Sequence, residues 1–263
     1  MIVLVYHRIG AEKQRKPKNE EDYYTVAVDD FRRQMEFLKN NRYLVPQFPS
    51  TPATQSLRLE RRRLEHWGTA VITFDDGYAS NYTLALPILK EFGFTAVFFI
   101  TTDNIGREGY MTAKEIKKAS DSGITIGSHG MSHRFLTELK DSEVDKELQY
   151  SKISLEEIIG KPVSLFSAPG GFYNRRIKQR VKAAGYSAVY TSEFGVNKPG
   201  CDPFCLKRIP VKSATTMTDF QRLLNANGSA ALLLRAAWKT KYAVKKIIGV
   251  ENYTSIKELL IKR

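Results

Sequence analysis

Cysteine and histidine are both scarce in this chain of 263 residues, which contains two cysteines and four histidines. Two thiols, Cys201 and Cys205, are too few for a disulfide framework, and no second Cys or His pair lies near them in sequence. No apolar run is long enough to cross a bilayer, so we expect no transmembrane helix. Residues 1–7 lack a basic n-region and a cleavage site. We therefore expect no signal peptide, and a location in the cytoplasm or at the inner membrane face.

Acidic residues are in the minority, with 28 Asp and Glu against 41 Lys and Arg and a net charge of +13. An excess of this size predicts an anionic surface nearby, such as phospholipid headgroups, nucleic acid or an acidic glycan. A specific nucleic-acid site is not indicated, because the arginine-rich run at 58–63 has no interleaved aromatic residues.

The C-terminal stretch differs from the rest of the chain. Residues 229–248 combine an apolar side with a basic side, and the basic residues have no acidic partner within the segment. Such a helix could lie on an anionic membrane surface, or it could pack on the main domain with its basic face in water. We therefore predict a main domain at 1–225 and a basic amphipathic helical extension at 226–263.

From residue 69 onward, short apolar runs alternate with amphipathic segments. Strands are predicted near 70–74, 96–100, 124–128, 164–168, 188–191 and 206–211, and helices near 80–92, 112–122, 143–159, 174–184 and 218–225. This alternation is typical of parallel strands in a barrel or a doubly wound sheet. Earlier in the chain we predict a strand at 1–7, a polar loop at 8–26 and a helix to about 41, capped by Asp29 or Asp30.

Two adjacent carboxylates, Asp75 and Asp76, end one of these strands. They follow a β-branched and aromatic run at 71–74 and precede Gly77, a residue typical of turns. Because burial of an unpaired charge is costly, both acids require partners: a metal ion, cations or a substrate. The C-terminal end of a strand is also where α/β folds place their chemistry. One acid could bind a cation while the other takes a proton from water.

Two of the four histidines, His129 and His133, follow another predicted strand. If the backbone there is helical or tightly turned, their i, i+4 spacing puts both imidazoles on one side. Two imidazoles and one carboxylate form a three-ligand set with an open position, as catalytic zinc sites require. The alternative is a turn with a solvated Asp pair and two unrelated surface histidines.

The segments Thr-Phe-Asp-Asp-Gly-Tyr at 73–78 and Ser-His-Gly-Met-Ser-His at 128–133 together resemble two motifs of the polysaccharide deacetylases. These enzymes form carbohydrate esterase family 4, the NodB-homology domain. The resemblance covers about residues 1–210. It implies an α/β fold, a distorted (β/α)7 barrel of the NodB type, with its site at the C-terminal ends of the strands.

The resemblance also implies roles for individual residues. Asp75 is the general base, and the ligands of one divalent metal ion are Asp76, His129 and His133. Zn²⁺ is the expected ion, with Co²⁺ and Ni²⁺ open, since this ligand set suits all three. The backbone N–H of Tyr78, or of the glycine before it, is the candidate oxyanion donor.

The general acid requires a different source, because no histidine follows His133. Most family members carry this acid in a Leu-x-His motif near the end of the domain. Here the segment at 4–8, Leu-Val-Tyr-His-Arg, resembles the opening of the poly-N-acetylglucosamine deacetylase branch, whose barrel is circularly permuted. This resemblance implies His7 as the acid. The alternatives are a partly buried histidine bonded to backbone, and His66 in a polar helical segment.

Two departures from the family pattern stand out. The third motif, Arg-x-Pro, corresponds to Ser167-Ala168-Pro169, so Ser167 stands where the arginine that holds the base would be. Asp75 could be held instead by Arg208 or by the Ser167 hydroxyl. The fourth motif, an aromatic-acid segment, has no clear match. For substrate binding we predict Pro169, Gly170, Tyr173 and Arg208, although the turn at 169–173 could be a plain strand–helix loop.

The predicted function is metal-dependent removal of N-acetyl groups from amino sugars of a poly- or oligosaccharide, in surface-polysaccharide or glycolipid assembly. One alternative is a catalytically impaired NodB-like domain that binds a glycan, which the missing arginine and fourth motif favour. The intact set of two aspartates and two histidines opposes it. A second alternative is a metal-dependent amidase that acts on a small non-sugar amide.

Overall fold

The computed structural model describes residues 1–11, 18–46, 68–224 and 240. The arginine-rich run at 58–63 and His66 lie outside the described residues, as do 229–248 and the extension at 226–263, apart from Thr240. The domain boundary, the membrane contact and the cellular location therefore stay predictions. Within the described ranges, no helix combines the length and the apolar character needed to cross a bilayer.

The described residues form nine strands and seven α-helices. The strands are β1 Ile2–Tyr6, β2 Arg8–Gly10, β3 Thr25–Ala27, β4 Ala70–Phe74, β5 Val97–Ile100, β6 Thr125–Ser128, β7 Leu165–Ser167, β8 Ala188–Phe194 and β9 Leu206–Pro210. The helices are α1 Glu20–Tyr24, α2 Val28–Asn40, α3 Leu86–Glu91, α4 Ala113–Asp121, α5 Asp141–Ile159, α6 Arg175–Ala183 and α7 Met217–Leu224. A π-helical turn, Asn81–Ala85, runs directly into α3.

Seven of the strands close into a parallel barrel in the order β1-β4-β5-β6-β7-β8-β9. The barrel closes where β1 pairs with β9, with Leu4 opposite Ile209. The predicted (β/α)7 barrel is therefore confirmed. Because β1 sits between β4 and β9, residues from the start of the chain contribute directly to the same rim as the two acids.

Two sequence predictions before β4 are wrong. The stretch 8–26 is not a plain polar loop, because β2 and β3 pair in parallel and α1 lies between them. The side chain of Asn19 caps α1, because its Oδ1 accepts a hydrogen bond from the Asp22 N–H at 2.8 Å. A helix therefore forms within this polar segment. The N-cap of α2 is Ala27, and the two predicted caps lie in its first turn, where acids favour the positive end of the helix dipole.

Alternate residues of the strands fill the inside of the barrel. One buried cluster consists of Val3, Val71, Val97, Phe99, Leu165, Ala188, Tyr190 and Leu206. The intervening strand residues, such as Leu4 and Ile72, belong to the larger core that includes the helices. At Gly127 a Cβ atom would lie 2.5 Å from the Phe99 ring, so the inner layer requires glycine there.

The period of two also predicts which residues point inward at the top of the barrel. Side chains of a strand alternate between its two faces, and in a barrel one face is the interior. Counting upward by two along β1, β4, β7 and β9 from the inner cluster, and along β6 from Gly127, reaches five polar residues in or just beyond the strands. These are His7, Asp75, Ser167, Arg208 and His129.

Candidate active site

Asp75 is buried at the C-terminal end of β4 and both of its carboxylate oxygens are hydrogen-bonded. Arg208 donates from Nη1 to Oδ1 at 2.8 Å and from Nη2 to Oδ2 at 2.7 Å. Ser167 Oγ donates to Oδ2 at 3.2 Å. Burial works to raise the pKa of Asp75, but the Arg208 guanidinium and the His129 imidazole outweigh it and lower that pKa. Asp75 is therefore ionised and held in one orientation.

Arg208 uses all five of its N–H donors inside the protein. Besides Asp75 it bonds the Thr191 carbonyl at 2.9 Å, Ser167 Oγ at 3.0 Å and Thr73 Oγ1 at 3.5 Å. Its exposure is only 1%. The predicted substrate-binding role of Arg208 is corrected by these contacts, because no donor is left to reach a ligand. The alternative prediction, that Arg208 or Ser167 holds the base, describes the geometry, and both residues contact it.

Asp76 faces the other way, toward the two histidines. Its Oδ1 atom lies 3.4 Å from Nε2 of His129 and 3.4 Å from Nε2 of His133. That oxygen is buried and has no hydrogen-bond partner among the described residues. Burial works to raise the pKa of Asp76, but the imidazoles of His129, His7 and His133 outweigh it and lower that pKa. An ionised oxygen without a proton donor is the arrangement expected of a metal ligand.

The three residues fit a tetrahedral metal ion. Bonds of about 2.0–2.2 Å from zinc to nitrogen and oxygen put neighbouring ligand atoms about 3.3–3.5 Å apart, in agreement with both measured distances of 3.4 Å. His129 Nδ1 lies 2.8 Å from the Ser167 carbonyl, so Nδ1–H donates there and Nε2 keeps its lone pair for a metal. Asp76, His129 and His133 could therefore hold one divalent ion.

Two of the three candidate metal ligands, Asp76 and His133, have a strained backbone conformation. Asp76 has a φ of 73° and His133 a φ of 61°. Positive φ is uncommon for residues other than glycine, and it persists at functional sites where the surroundings hold it. The predicted helical or tightly turned backbone at 129–133 is a turn, and its reversal at His133 brings the two imidazole rings to 5.0 Å.

His7 follows β1 and lies beside the two acids. Tyr6 pairs with Phe74 across β1 and β4, and Asp75 N–H donates to the Tyr6 carbonyl at 3.0 Å. The His7 ring packs on Tyr24 at 4.5 Å, and its Nδ1 is buried without a hydrogen-bond partner in the described structure. Burial lowers the pKa of His7, and the nearby Asp76 and Asp75 carboxylates partly offset that effect.

The backbone N–H of Tyr78 takes no part in the hydrogen bonds of the β-bridge in which Tyr78 lies. Tyr78 pairs with Tyr110 in an isolated antiparallel bridge, whose hydrogen bonds run from Ala79 N–H to the Gly109 carbonyl and from Met111 N–H to the Gly77 carbonyl. In such a pair the amides of the two opposed residues point away from each other. The Tyr78 N–H is therefore not consumed by this ladder and stays the candidate oxyanion donor.

The predicted turn after β7 lies next to the histidine loop. Pro169–Gly171 forms a short 3-10 turn in which Gly170 has a φ of 60°. A Cβ atom at Gly170 would lie 2.4 Å from the Phe135 ring, so a side chain has no room there. The phenolic oxygen of Tyr173 is buried and has no partner among the described residues. A substrate contact by Pro169, Gly170 or Tyr173 stays a prediction.

Two residues that the sequence analysis did not predict form hydrogen bonds to the backbone of the site. Asn81, at the start of the π-helical turn, donates from Nδ2 to the His7 carbonyl at 3.0 Å. Glu147 on α5 accepts bonds from the loop between the two histidines. A sequence signal existed for Glu147, since it shares a helix face with buried Val144 and Leu148, where a charge requires a buried partner. Asn81 carried no comparable signal.

Comparison with known proteins agrees with this geometry. Residues 65–189 match the family model described as Polysaccharide deacetylase. YxkH of Bacillus subtilis strain 168 is 29% identical over 219 residues, 83% of this chain and 74% of that protein. The peptidoglycan-N-acetylglucosamine deacetylase of Bacillus cereus is 31% identical over 122 residues, 46% of this chain and 55% of that protein.

A solved structure extends the likeness to the barrel as a whole. IcaB from Ammonifex degensii matches with a TM-score of 0.69 and 25% identity, covering 85% of this chain and 95% of that chain. The fold, the family match and the grouping of two aspartates and two histidines at one rim agree with one another. The chain therefore carries a polysaccharide deacetylase domain of the NodB type.

Proposed function

We propose that this protein is a metal-dependent hydrolase that removes N-acetyl groups from amino sugars of a poly- or oligosaccharide. One observation carries the proposal. Asp75 is bound by a guanidinium, while its neighbour Asp76 directs an unpartnered oxygen at two imidazole nitrogens. This is the division between a base and a metal ligand that water-activated amide hydrolysis requires. The likeness to a peptidoglycan-N-acetylglucosamine deacetylase supports an N-acetylated glycan as substrate.

Asp76, His129 and His133 would hold the ion, with Zn²⁺ as the proposed metal, and Co²⁺ or Ni²⁺ as substitutes. When bound, the ion supplies a Lewis acid for the acetyl oxygen and lowers the pKa of water. The chain supplies the remaining groups. Arg208 keeps the Asp75 carboxylate ionised and in one orientation, and Asp75 then takes the proton of the attacking water.

Two further groups complete the reaction. The Tyr78 N–H stabilises the negative oxygen that forms when water adds to the acetyl carbon. His7 donates a proton to the sugar nitrogen as the C–N bond breaks, so that acetate and a free amine leave. Its place beside the acids, fixed by the register of β1 and β4, supports this role.

The two alternatives fare differently. The absence of the arginine of the third motif favoured an impaired glycan-binding domain. However, Arg208 of β9 holds the carboxylate of Asp75 with two hydrogen bonds, as that arginine would. The amidase alternative involves the same site and differs only in substrate. A comparison of acetylated sugars with simple amides separates the two.

The test is acetate release from N-acetylglucosamine oligomers by zinc-loaded protein, chelated protein and His7→Ala. We expect chelation to abolish release, and His7→Ala to lower kcat by about 10²-fold to 10⁴-fold while metal binding persists. His66→Ala, the other histidine considered as the acid, is the matched control and should behave as wild type. Stoichiometric metal binding without release would favour the binding domain, and faster turnover of simple amides would favour the amidase.

A further inference from the structure

Glu147 is a buried residue whose two carboxylate oxygens both accept hydrogen bonds from the loop between His129 and His133. Its Oε2 accepts the Met131 N–H at 2.7 Å and the Ser132 N–H at 3.0 Å, and its Oε1 accepts the Ser132 hydroxyl. The residue is 2% exposed. Among the described residues it forms no ion pair with Lys, Arg or His, so the loop alone satisfies its charge.

The loop requires such a support because its backbone turns through two unusual conformations. Gly130 has a φ of 79° and His133 a φ of 61°. A Cβ atom at Gly130 would lie 3.1 Å from Glu147 Oε2, so the loop wraps closely around the carboxylate. Two successive amides directed at one oxygen fix the chain direction just before His133, whose own conformation is otherwise disfavoured.

The same helix also supports the other histidine. Ser151, one turn after Glu147 on α5, places its hydroxyl 2.8 Å from the Ser128 hydroxyl. Ser128 in turn accepts the Gly130 N–H at 3.1 Å. These contacts lie on the two sides of His129, so α5 holds the histidine loop at both ends of its turn.

We propose that Glu147 is a positioning residue that holds the turn at 130–132, so that the His133 imidazole faces His129 and Asp76. The inference rests on the metal site of the proposed function. A carboxylate suits this position because both of its oxygens accept and carry negative charge, whereas an amide of the same shape has one acceptor oxygen and no charge to strengthen its hydrogen bonds. Loss of the carboxylate is expected to loosen His133 and to weaken metal binding.

The test compares Glu147→Gln with Glu156→Gln on the same helix. Glu156 also accepts a backbone N–H, from Val163 at 2.8 Å, and pairs with Lys152 at 2.9 Å, and these partners lie outside the histidine loop. Zn²⁺ affinity is measured by competition with a chromophoric chelator, and the visible spectrum of the Co²⁺-loaded protein reports the ligand geometry. We expect Glu147→Gln to weaken affinity about 10-fold to 100-fold and to alter the spectrum, and Glu156→Gln to change neither.

Titrations are run below the melting temperature of every variant, so that lost affinity is not lost fold. Ser132→Ala, which removes only the hydroxyl donor, is the second variant and should weaken affinity by a smaller factor, with a small decrease in melting temperature. Wild-type affinity and an unchanged Co²⁺ spectrum in both variants would overturn the inference while leaving the proposed function intact. Absence of metal binding by the wild-type protein would overturn both.

Discussion

Asp75 and Asp76 are adjacent in sequence, yet their surroundings differ in almost every respect. Asp75 continues the inward alternation of β4 and meets Arg208, with Ser167 beside it. Asp76 turns out of that alternation at a φ of 73° and reaches the rim, where Oδ1 lies between the nitrogens of His129 and His133. Both oxygens of Asp75 accept hydrogen bonds, whereas Oδ1 of Asp76 accepts none from the part of the chain that the structure describes.

The difference shows how one strand end serves two purposes. The Asp75 surroundings form a closed network of charge and hydrogen bonds, which fixes the geometry and makes removal of a single partner costly. The Asp76 surroundings hold backbone strain and an unpaired buried oxygen, which cost stability and are expected where a ligand binds. Loss of stability is therefore expected at Asp75 and loss of metal binding at Asp76, and substitutions should separate these two effects.

The largest effect is expected from Asp76→Asn. Metal affinity should fall more than about 100-fold and deacetylation should drop to background, because an anionic ligand is lost. The melting temperature of the metal-free protein should change little, because two effects oppose each other. Asn tolerates positive φ better and Oδ1 has no hydrogen-bond partner among the described residues, but the attraction of the carboxylate to the imidazoles is lost. Metal titration and calorimetry check both parts. A clear drop in the melting temperature would instead make Asp76 a structural residue.

Asp75→Asn should show the reverse pattern. Metal binding should persist, while kcat falls about 10²-fold to 10⁴-fold because the base is gone. The free energy of unfolding should fall by about 3 kcal/mol, because the buried Arg208 charge loses its counter-ion. Chemical denaturation measures this loss. Asp121→Asn breaks an exposed pair with Lys117 and serves as the control that should change neither quantity.

A smaller loss is expected from Arg208→Lys. Lysine keeps the charge but cannot grip both oxygens of Asp75, so the base loses its fixed orientation. We expect kcat to fall about 10-fold to 100-fold with metal affinity unchanged. Lys207→Arg, on the adjacent position of β9 and paired with Glu193, is the matched control. Full activity in Arg208→Lys would show that charge alone maintains the base.

The smallest effect should come from Ser167→Ala. This change removes one hydrogen bond to Asp75 Oδ2 and one acceptor for Arg208. We expect a loss of about 1 kcal/mol in unfolding free energy and a decrease of a few-fold in kcat. Ser187→Ala removes a hydroxyl that donates to the Ser164 carbonyl away from the site, so it should lower stability similarly without touching kcat. Equal kcat values in the two variants would show that the hydrogen bond from Ser167 to Asp75 does not contribute to catalysis.

The barrel and most of the site were predictable because their signals are local. Strand–helix alternation predicts parallel strands, and acids at the end of an apolar run mark the catalytic rim. The spacing of His129 and His133 indicates a ligand pair, although its geometry comes from a turn rather than a helix. The segment 8–26 was mispredicted because its pairing of β2 with β3 depends on the barrel beside it.

Sequence pattern was enough for the fold class, for the two acidic and two histidine positions, and for His7 as a member of the same site, since each depends on periodicity or on a short motif. Only the folded chain shows that Arg208 binds Asp75 across a separation of 133 residues and that Glu147 supports the histidine loop from a helix. The physical reason is that these partners meet through barrel closure and helix packing, and no local spacing encodes which distant donor will face a buried carboxylate.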